Sequence, residues 1–400
     1  MTMRHSDRQS RNSSIELLRL ASMLMIVGFH YVWCSNLDQS WLTNQDISLK
    51  KIVYEFIYGG GGWVGNFIFF AISVWFLANR TTSLRSDLRR VWIMERELLF
   101  WGILLFVFCV LLRQNGYYVG TSGDATMLVK SIFPLSMELW WYPTSYAIFL
   151  LLLPFLNKGM RSLGKDLHRN LSIICLIIWG FFGMIPKVRF DLIQQGVFVF
   201  IYWYILLTYY KWYMRKLSKR GAWSLLGTGI AVELIFIIAA NIFYQLTDKM
   251  AKMQFFMFTR WRLPAMMIGF AVFVLVSNVE FHSKVVNAIA ASSFGVYLIH
   301  YNPYIFSFWT HYVPAECVYM SKHALVLGLM VIVTVFVLCL VLDLMRQGLF
   351  KLTIDRNRGA WFDKLYAWAL LKTQGRLVKW PSRRGAMSLG STEDDSDLVD

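Results

Sequence analysis

An all-α, polytopic membrane helix bundle with about ten transmembrane helices is the fold class this sequence predicts. Three observations carry it. Of 400 residues, 57% are hydrophobic and only 16% charged, whereas a soluble domain is about a quarter charged. Mean hydropathy is +0.47, and apolar runs long enough to cross about 30 Å of hydrocarbon recur along the chain. The basic residues, finally, are distributed around those runs as membrane topology requires.

In order, the spans are expected at 14–34, 61–79, 91–112, 139–156, 171–186, 192–210, 222–246, 263–279, 286–306 and 323–345. The first, SIELLRLASMLMIVGFHYVWC, is too long an apolar stretch for a removable signal peptide. The second follows Gly59–Gly62, which reads as a flexible or close-packing approach to a helix. No GKS or GKT follows those glycines, so they do not read as a phosphate cradle. The third opens on the arginines Arg85, Arg89, Arg90 and Arg96. The fourth opens on Trp140, Trp141 and Tyr142, which read first as an interfacial aromatic belt. The seventh carries Glu233 in mid-span, with Asn241 further along.

Connections are short and no internal repeat is present, which counts against transporters built on inverted halves. The expected organisation is a cytoplasmic N-tail (1–10), one membrane domain (11–347), a cytoplasmic segment at the membrane surface (348–380) and a disordered acidic tail (381–400). Within 359–380, Trp361, Leu365 and Trp368 stand at helical spacing with lysines between them, the pattern of an amphipathic helix lying on a leaflet. The last twenty residues are rich in Ser, Gly and Asp, a composition that cannot bury a core.

The formal net charge of +16 follows from topology. With the N-terminus inside, 27 of the 40 Lys and Arg residues lie on the inner side and 11 on the outer side, with Arg19 and Arg96 inside spans. That bias predicts a multi-pass plasma-membrane protein with both termini cytoplasmic. A nucleic-acid partner would need a basic face on a soluble domain, and no soluble domain of ordinary size fits between the spans. Five cysteines form no framework: Cys109, Cys175 and Cys339 lie in spans and read as small core hydrophobes. Cys34 and Cys317 share the outer side, where a disulfide is chemically possible. No CxxC, HExxH or GxSxG occurs, so neither a metal nor a serine elbow is expected.

The most informative feature is a polar stripe on the first span. Arg19 and His30 are eleven residues apart, only about 20° beyond three full turns, so they share one face, with a rise of roughly 16 Å between them. Glu16, one turn before Arg19, is placed to pair with it. Ionisable groups in a membrane helix are costly and rarely face lipid, which makes this stripe a functional-site hypothesis.

RNSSIELLRLASMLMIVGFH resembles the opening of the integral-membrane acyltransferase 3 family, whose first span carries an arginine, ten residues and a histidine, here Arg19 and His30. GGGGWVGNFIFFAISVWFL (59–77) is similar to that family's glycine-led span, with Val74 and Trp75 standing where glycine and an aromatic are usual. ELWWYPTSYAIFLLLLPFLN (138–157) resembles its Trp–Tyr-led span, and SSFGVYLIHYNPY (292–304) its late Phe-Gly-x-Tyr-Leu-x-His segment. The resemblance runs over about 11–346. It implies an O-acyltransferase that moves an acyl group, most often acetyl, from cytoplasmic acyl-coenzyme A to a hydroxyl of a cell-surface or secreted carbohydrate. It implies no bound cofactor, acyl-coenzyme A being a substrate, and it implies that Arg19 is needed for activity.

On this reading His30 is the catalytic imidazole: neutral, it accepts the hydroxyl proton and returns it to the leaving thiolate. Arg19 either holds donor phosphates through bidentate contacts or pairs with Glu16 and snorkels to the interface. Arg85, Arg89, Arg90 and Arg96 are candidate donor-binding groups, or topology signals. Ser73, Trp140, Tyr142, Glu233, Tyr297 and His300 are candidates for the acceptor side. His300 falls at a depth like that of His30, with Tyr297 one turn away. Two other function classes fit the intramembrane charges: a proton-coupled transporter or exporter of a lipid-linked sugar, and a scaffold in a surface-polymer assembly.

Overall fold

The computed structural model describes residues 12–34, 40–80, 83–185, 196–247, 261–357 and 359–377. The N-tail 1–10 and the acidic tail 381–400 lie outside the described residues. Helices and their connections make up the molecule, with no strand among the described residues, as the composition predicts.

α1 (Ser13–Phe29) starts where the Asn12 side chain accepts from the Ser14 amide. Glu16 in its first turn suits the positive end of the helix dipole. At His30 the ladder widens into a π turn, His30–Cys34, a departure from α geometry that recurs at functional sites. After the short α2 (Ser40–Thr43) and α3 (Leu49–Ile52), a π segment over Val53–Gly60 runs straight into α4 (Gly61–Leu77). The second predicted span is thus the latter half of a longer rod.

Glycines explain why α1 and α4 pack so closely. A Cβ on Gly65 would lie 2.5 Å from the Ser22 carbonyl oxygen, and one on Gly62 would lie 2.0 Å from the Phe29 Cβ. The Gly59–Gly62 run is a close-packing device against the end of α1, as small residues are in membrane bundles.

α5 (Leu84–Gln114) begins in a Ser83–Ser86 capping box. At its far end Arg113 pairs with Asp124 and donates to the carbonyls of Gly120 and Ser122, each at 3.1 Å. From there α6 (Asp124–Ile132) turns back along α5. A Cβ on Gly102 would touch the Ser131 carbonyl oxygen at 2.9 Å and the Leu139 side chain at 3.6 Å. Gly102 is eleven residues below Arg113, roughly 16 Å along the helix. The chain then breaks over 133–140, turning at Glu138 (φ 49°, the left-handed region), and α7 (Trp141–Ser162) continues in the same direction. The fourth predicted span is therefore a discontinuous helix whose lower half starts deep in the bundle. Trp140, Trp141 and Tyr142 at that start are buried; they do not form an interfacial belt.

α8 (Gly164–Cys175) extends through π and 3-10 turns to Met184. α9 (Val197–Tyr213), α10 (Lys219–Thr247) and α11 (Leu263–Ser277) follow. Where one span was expected over 286–306, three short helices stand: α12 (Lys284–Ala290), α13 (Ser293–His300) and α14 (Pro303–Tyr312). Asn302 caps α14 by accepting from the Tyr304 amide, with Pro303 at the first position, the favoured place for proline. α15 (Ala315–Tyr319) leads into α16 (Ala324–Leu352), which leaves Val326, Met330, Leu338 and Met345 exposed, a surface suited to lipid.

Among the described residues, five segments are long and apolar enough to cross a membrane: Ser13–Cys34, Leu49–Leu77, Gly164–Met184, Lys219–Thr247 and Ala324–Leu352; Leu263–Ser277 is a shorter apolar helix. The protein is multi-pass; these five do not by themselves establish a count of ten.

At one end of the bundle the Ser13 amide donates to the Phe281 carbonyl at 2.8 Å, and the Arg161 guanidinium of α7 reaches the Ala78 carbonyl beyond α4 at 3.1 Å. This is the Ser13 end; the opposite one is the Arg113 end.

The described residues from Gly359 to Leu377 belong to a second unit. Its helix α17 (Ala360–Leu377) exposes Trp361, Leu365 and Trp368, with the Lys372 ammonium 4.2 Å over the Trp368 ring.

Candidate functional site

His30 caps α1, and His300 ends α13. Both are buried, and the Nδ1 of His30 lies 2.8 Å from the Nε2 of His300. Each has a local reason to be there. The π turn rotates the end of α1 inward, and the Trp309 indole N–H pins the His300 carbonyl at 3.0 Å. The protonation pattern follows from one further contact: the Nδ1 of His300 stands 2.6 Å from the Val296 carbonyl oxygen. A carbonyl only accepts, so His300 donates from Nδ1; with both rings neutral, its Nε2 then accepts from the Nδ1–H of His30. The basic nitrogen of His30 is then Nε2. A carbonyl and a second imidazole thus orient the His30 ring, much as a carboxylate orients the histidine of a catalytic triad. The Tyr301 ring stacks on His30 at 3.8 Å and 7°, holding the imidazole plane.

From His30 a row of tyrosines descends toward the Ser13 end. Tyr297 lies 6.2 Å from His30 between ring centroids, Tyr142 lies 6.1 Å from Tyr297, and Tyr146 lies 6.1 Å from Tyr142. The last hydroxyl meets Ser73 of α4 within the field of Arg90, Arg19 and Asp87. The break between α6 and α7 is what makes the row possible, because it places Tyr142 and Tyr146 inside the bundle one turn apart.

At the Ser13 end a cavity of about 780 Å³ opens beside α1. Glu16, Arg19, Arg80 and Lys216 line it, with Trp75 and Tyr210 as aromatic wall. Arg19 pairs with Glu16, and both line this cavity. Trp75 is fixed from behind by Lys211, whose ammonium lies 4.6 Å over its ring and donates to its carbonyl. The cavity includes Arg19 and not His30; the tyrosine row spans the interval.

The four arginines singled out all lie on α5. Arg90 pairs with Asp87, whose carboxyl burial pushes up while Arg90 pulls it down. Arg96 pairs with Asp355 at 2.9 Å, and Arg85 and Arg89 lie on the first turns of α5. None of the four lines the cavity. Glu233 is buried on α10, and neither carboxylate oxygen has a hydrogen-bond partner. Trp140 is buried at the start of α7. Cys34 and Cys317 form no disulfide with each other, and no group of three metal-ligating side chains occurs among the described residues.

Sequence reasoning missed Arg80, Lys216, Tyr146 and Tyr301. Arg80 and Lys216 counted only as topology charges, and Tyr146 was hidden within an apolar run. Tyr301 follows His300 directly, yet only the fold shows that its ring meets His30.

A family model described as an acyltransferase domain, of the acyltransferase 3 type, matches residues 12–344. No curated protein and no solved structure matches the chain. The matched stretch contains both histidines, the tyrosine row and every described residue named here as lining the cavity.

Proposed function

The chain belongs to the acyltransferase-domain family, and from that premise we propose that this membrane acyltransferase moves an acyl group, acetyl in the simplest case, from acyl-coenzyme A to a carbohydrate hydroxyl. The observation that carries the reading is the His30–His300–Val296 chain, which leaves a correctly oriented imidazole to act as base. The acceptor hydroxyl oxygen attacks the thioester carbonyl carbon while His30 Nε2 takes the hydroxyl proton. The carbon–sulfur bond then breaks, and the same proton passes from His30 to the sulfur. Ester and free thiol are the products, and no proton is gained or lost overall.

The donor's nucleotide end fits the cavity at the Ser13 end. Arg19, Arg80 and Lys216 supply positive charge for phosphates, and Trp75 and Tyr210 supply faces for a purine ring. The pantetheine arm then follows the tyrosine row, whose hydroxyls suit its amides. Charge bias supports placing the Ser13 end in the cytoplasm. The acceptor meets His30 from the Arg113 end, with Tyr297 and His300 beside it.

The deciding experiment reconstitutes the full chain in liposomes with acetyl-labelled coenzyme A and envelope carbohydrate from the producing cell. Label entering the carbohydrate, surviving a protonophore and lost in His30→Ala, is the expected result. Carbohydrate crossing the bilayer without label would replace the enzyme by an exporter.

A further inference from the structure

One buried ionic cluster has no part in the chemistry above. Asp343 of α16 is fully buried. Its Oδ1 accepts from Arg346 Nε at 2.7 Å and from the Trp101 indole at 3.0 Å, and its Oδ2 accepts from Arg346 Nη2 at 3.0 Å. Arg346 also reaches Glu97 of α5 at 2.9 Å. Gln347, one residue further on α16, donates to the Ser292 hydroxyl at 2.5 Å. Such a network strongly resists removal of a single partner, because a buried charge is left behind.

The cluster closes on the first turn of α13. A Cβ on Gly295 would lie 1.9 Å from Asp343 Oδ1 and 2.0 Å from its Cγ. No side chain fits there; the carboxylate rests directly on the glycine backbone. A negative charge at that helix start is also favoured by the helix dipole. α13 is eight residues long, and its last residue is His300. Gly295 and His300 are five residues apart, roughly 7.5 Å along the axis. A shift of the Gly295 contact therefore moves His300 against His30 with nothing flexible between them.

We infer that Asp343, seated on Gly295, is a positioning residue: it fixes α13 along its axis so that His300 Nε2 meets His30 Nδ1. The inference rests on the reading of His30 as the base. Trp101 and Arg346 fix the carboxylate, the carboxylate fixes the helix, and the helix fixes the imidazole pair.

The test is a double-mutant cycle on the full chain in liposomes, with acetyl-coenzyme A as donor. Gly295→Ala is expected to lower kcat by about ten- to a hundredfold, the scale of a misplaced catalytic group, with KM for acetyl-coenzyme A within about twofold of wild type. Trp101→Phe removes one hydrogen bond to Asp343 without adding bulk, and it serves if the alanine variant does not fold. It is expected to lower kcat several-fold, again with little change in KM. Each change is then combined with His300→Gln. Because the cluster acts through His300, the combined variants are expected to be no slower than His300→Gln alone. Losses that multiply in the combined variants overturn the inference, as does unchanged kcat in both single variants. If His300→Gln alone leaves kcat unchanged, the histidine pair itself fails, a result visible separately from the cycle.

Discussion

His30 and His300, 270 residues apart in the chain, meet nitrogen to nitrogen at 2.8 Å. The contact joins the end of the first helix to the end of a short late one, and it is the narrowest point at which the chemistry can be tested. Removing the proposed base, in His30→Gln, is expected to lower kcat by about 10²–10⁴-fold, the usual contribution of a general base. His300→Gln removes only the group that orients it and is expected to cost less, about ten- to a hundredfold. Label-transfer rates at saturating donor compare the two; equal losses would make His300 a second proton carrier.

The cavity lining predicts where donor affinity resides. Arg80→Ala and Lys216→Ala should each raise KM for acetyl-coenzyme A by about tenfold, which is ~1.4 kcal/mol, with kcat little changed. Acetyl-pantetheine, which has no nucleotide, should be indifferent to both substitutions. Initial-rate kinetics with the two donors decide it, and an equal effect on both would remove the phosphates from this cavity.

Along the tyrosine row, Tyr146→Phe deletes one hydroxyl and keeps the ring. Loss of one hydrogen bond to an arm passing Ser73 is worth about 1 kcal/mol, so kcat/KM for acetyl-coenzyme A should fall about fivefold while thermal stability stays close to wild type. Activity unchanged in Tyr142→Phe and Tyr146→Phe together would show that the arm travels elsewhere.

Packing gives a prediction independent of function. A methyl group at Gly65 meets the Ser22 carbonyl oxygen at 2.5 Å, so Gly65→Ala must part α1 from α4. Overpacking of this kind costs about 1–3 kcal/mol. Thermal unfolding of the detergent-solubilised protein should show a lower midpoint. An unchanged midpoint would mean that the helices have slack at this crossing.

Much of this architecture is legible in the sequence, and the parts that are not fail for identifiable reasons. The Arg19–His30 stripe follows from helical arithmetic alone, and the structure buries His30 and places Arg19 on the cavity wall. The segment 286–306 reads as one span because hydropathy averages over breaks. Yet Asn302-Pro303 is a helix-start signal, and Ser283 caps α12 by accepting from the Val286 amide. Trp140, Trp141 and Tyr142 read as a belt because aromatic residues at a span's start usually are one. Only the return of α6 along α5 shows that this start lies deep. Arg80 and Lys216 cannot be told from topology lysines and arginines by composition, since what singles them out is a cavity shared by distant segments. Asp343 and Gly295 are 48 residues apart, and no spacing rule connects a carboxylate to the glycine beneath it.

The partner behind His300 is a peptide oxygen and not an acid. With both rings neutral, the two imidazoles and that oxygen carry no formal charge, so an apolar interior tolerates them without any counterion. On the proposed mechanism charge appears only during turnover, while one imidazole briefly holds the travelling proton, and it vanishes when the thiol departs. Under that proposal the pair stays uncharged until a thioester arrives, and a voltage across the membrane would find nothing in it to pull on between reactions.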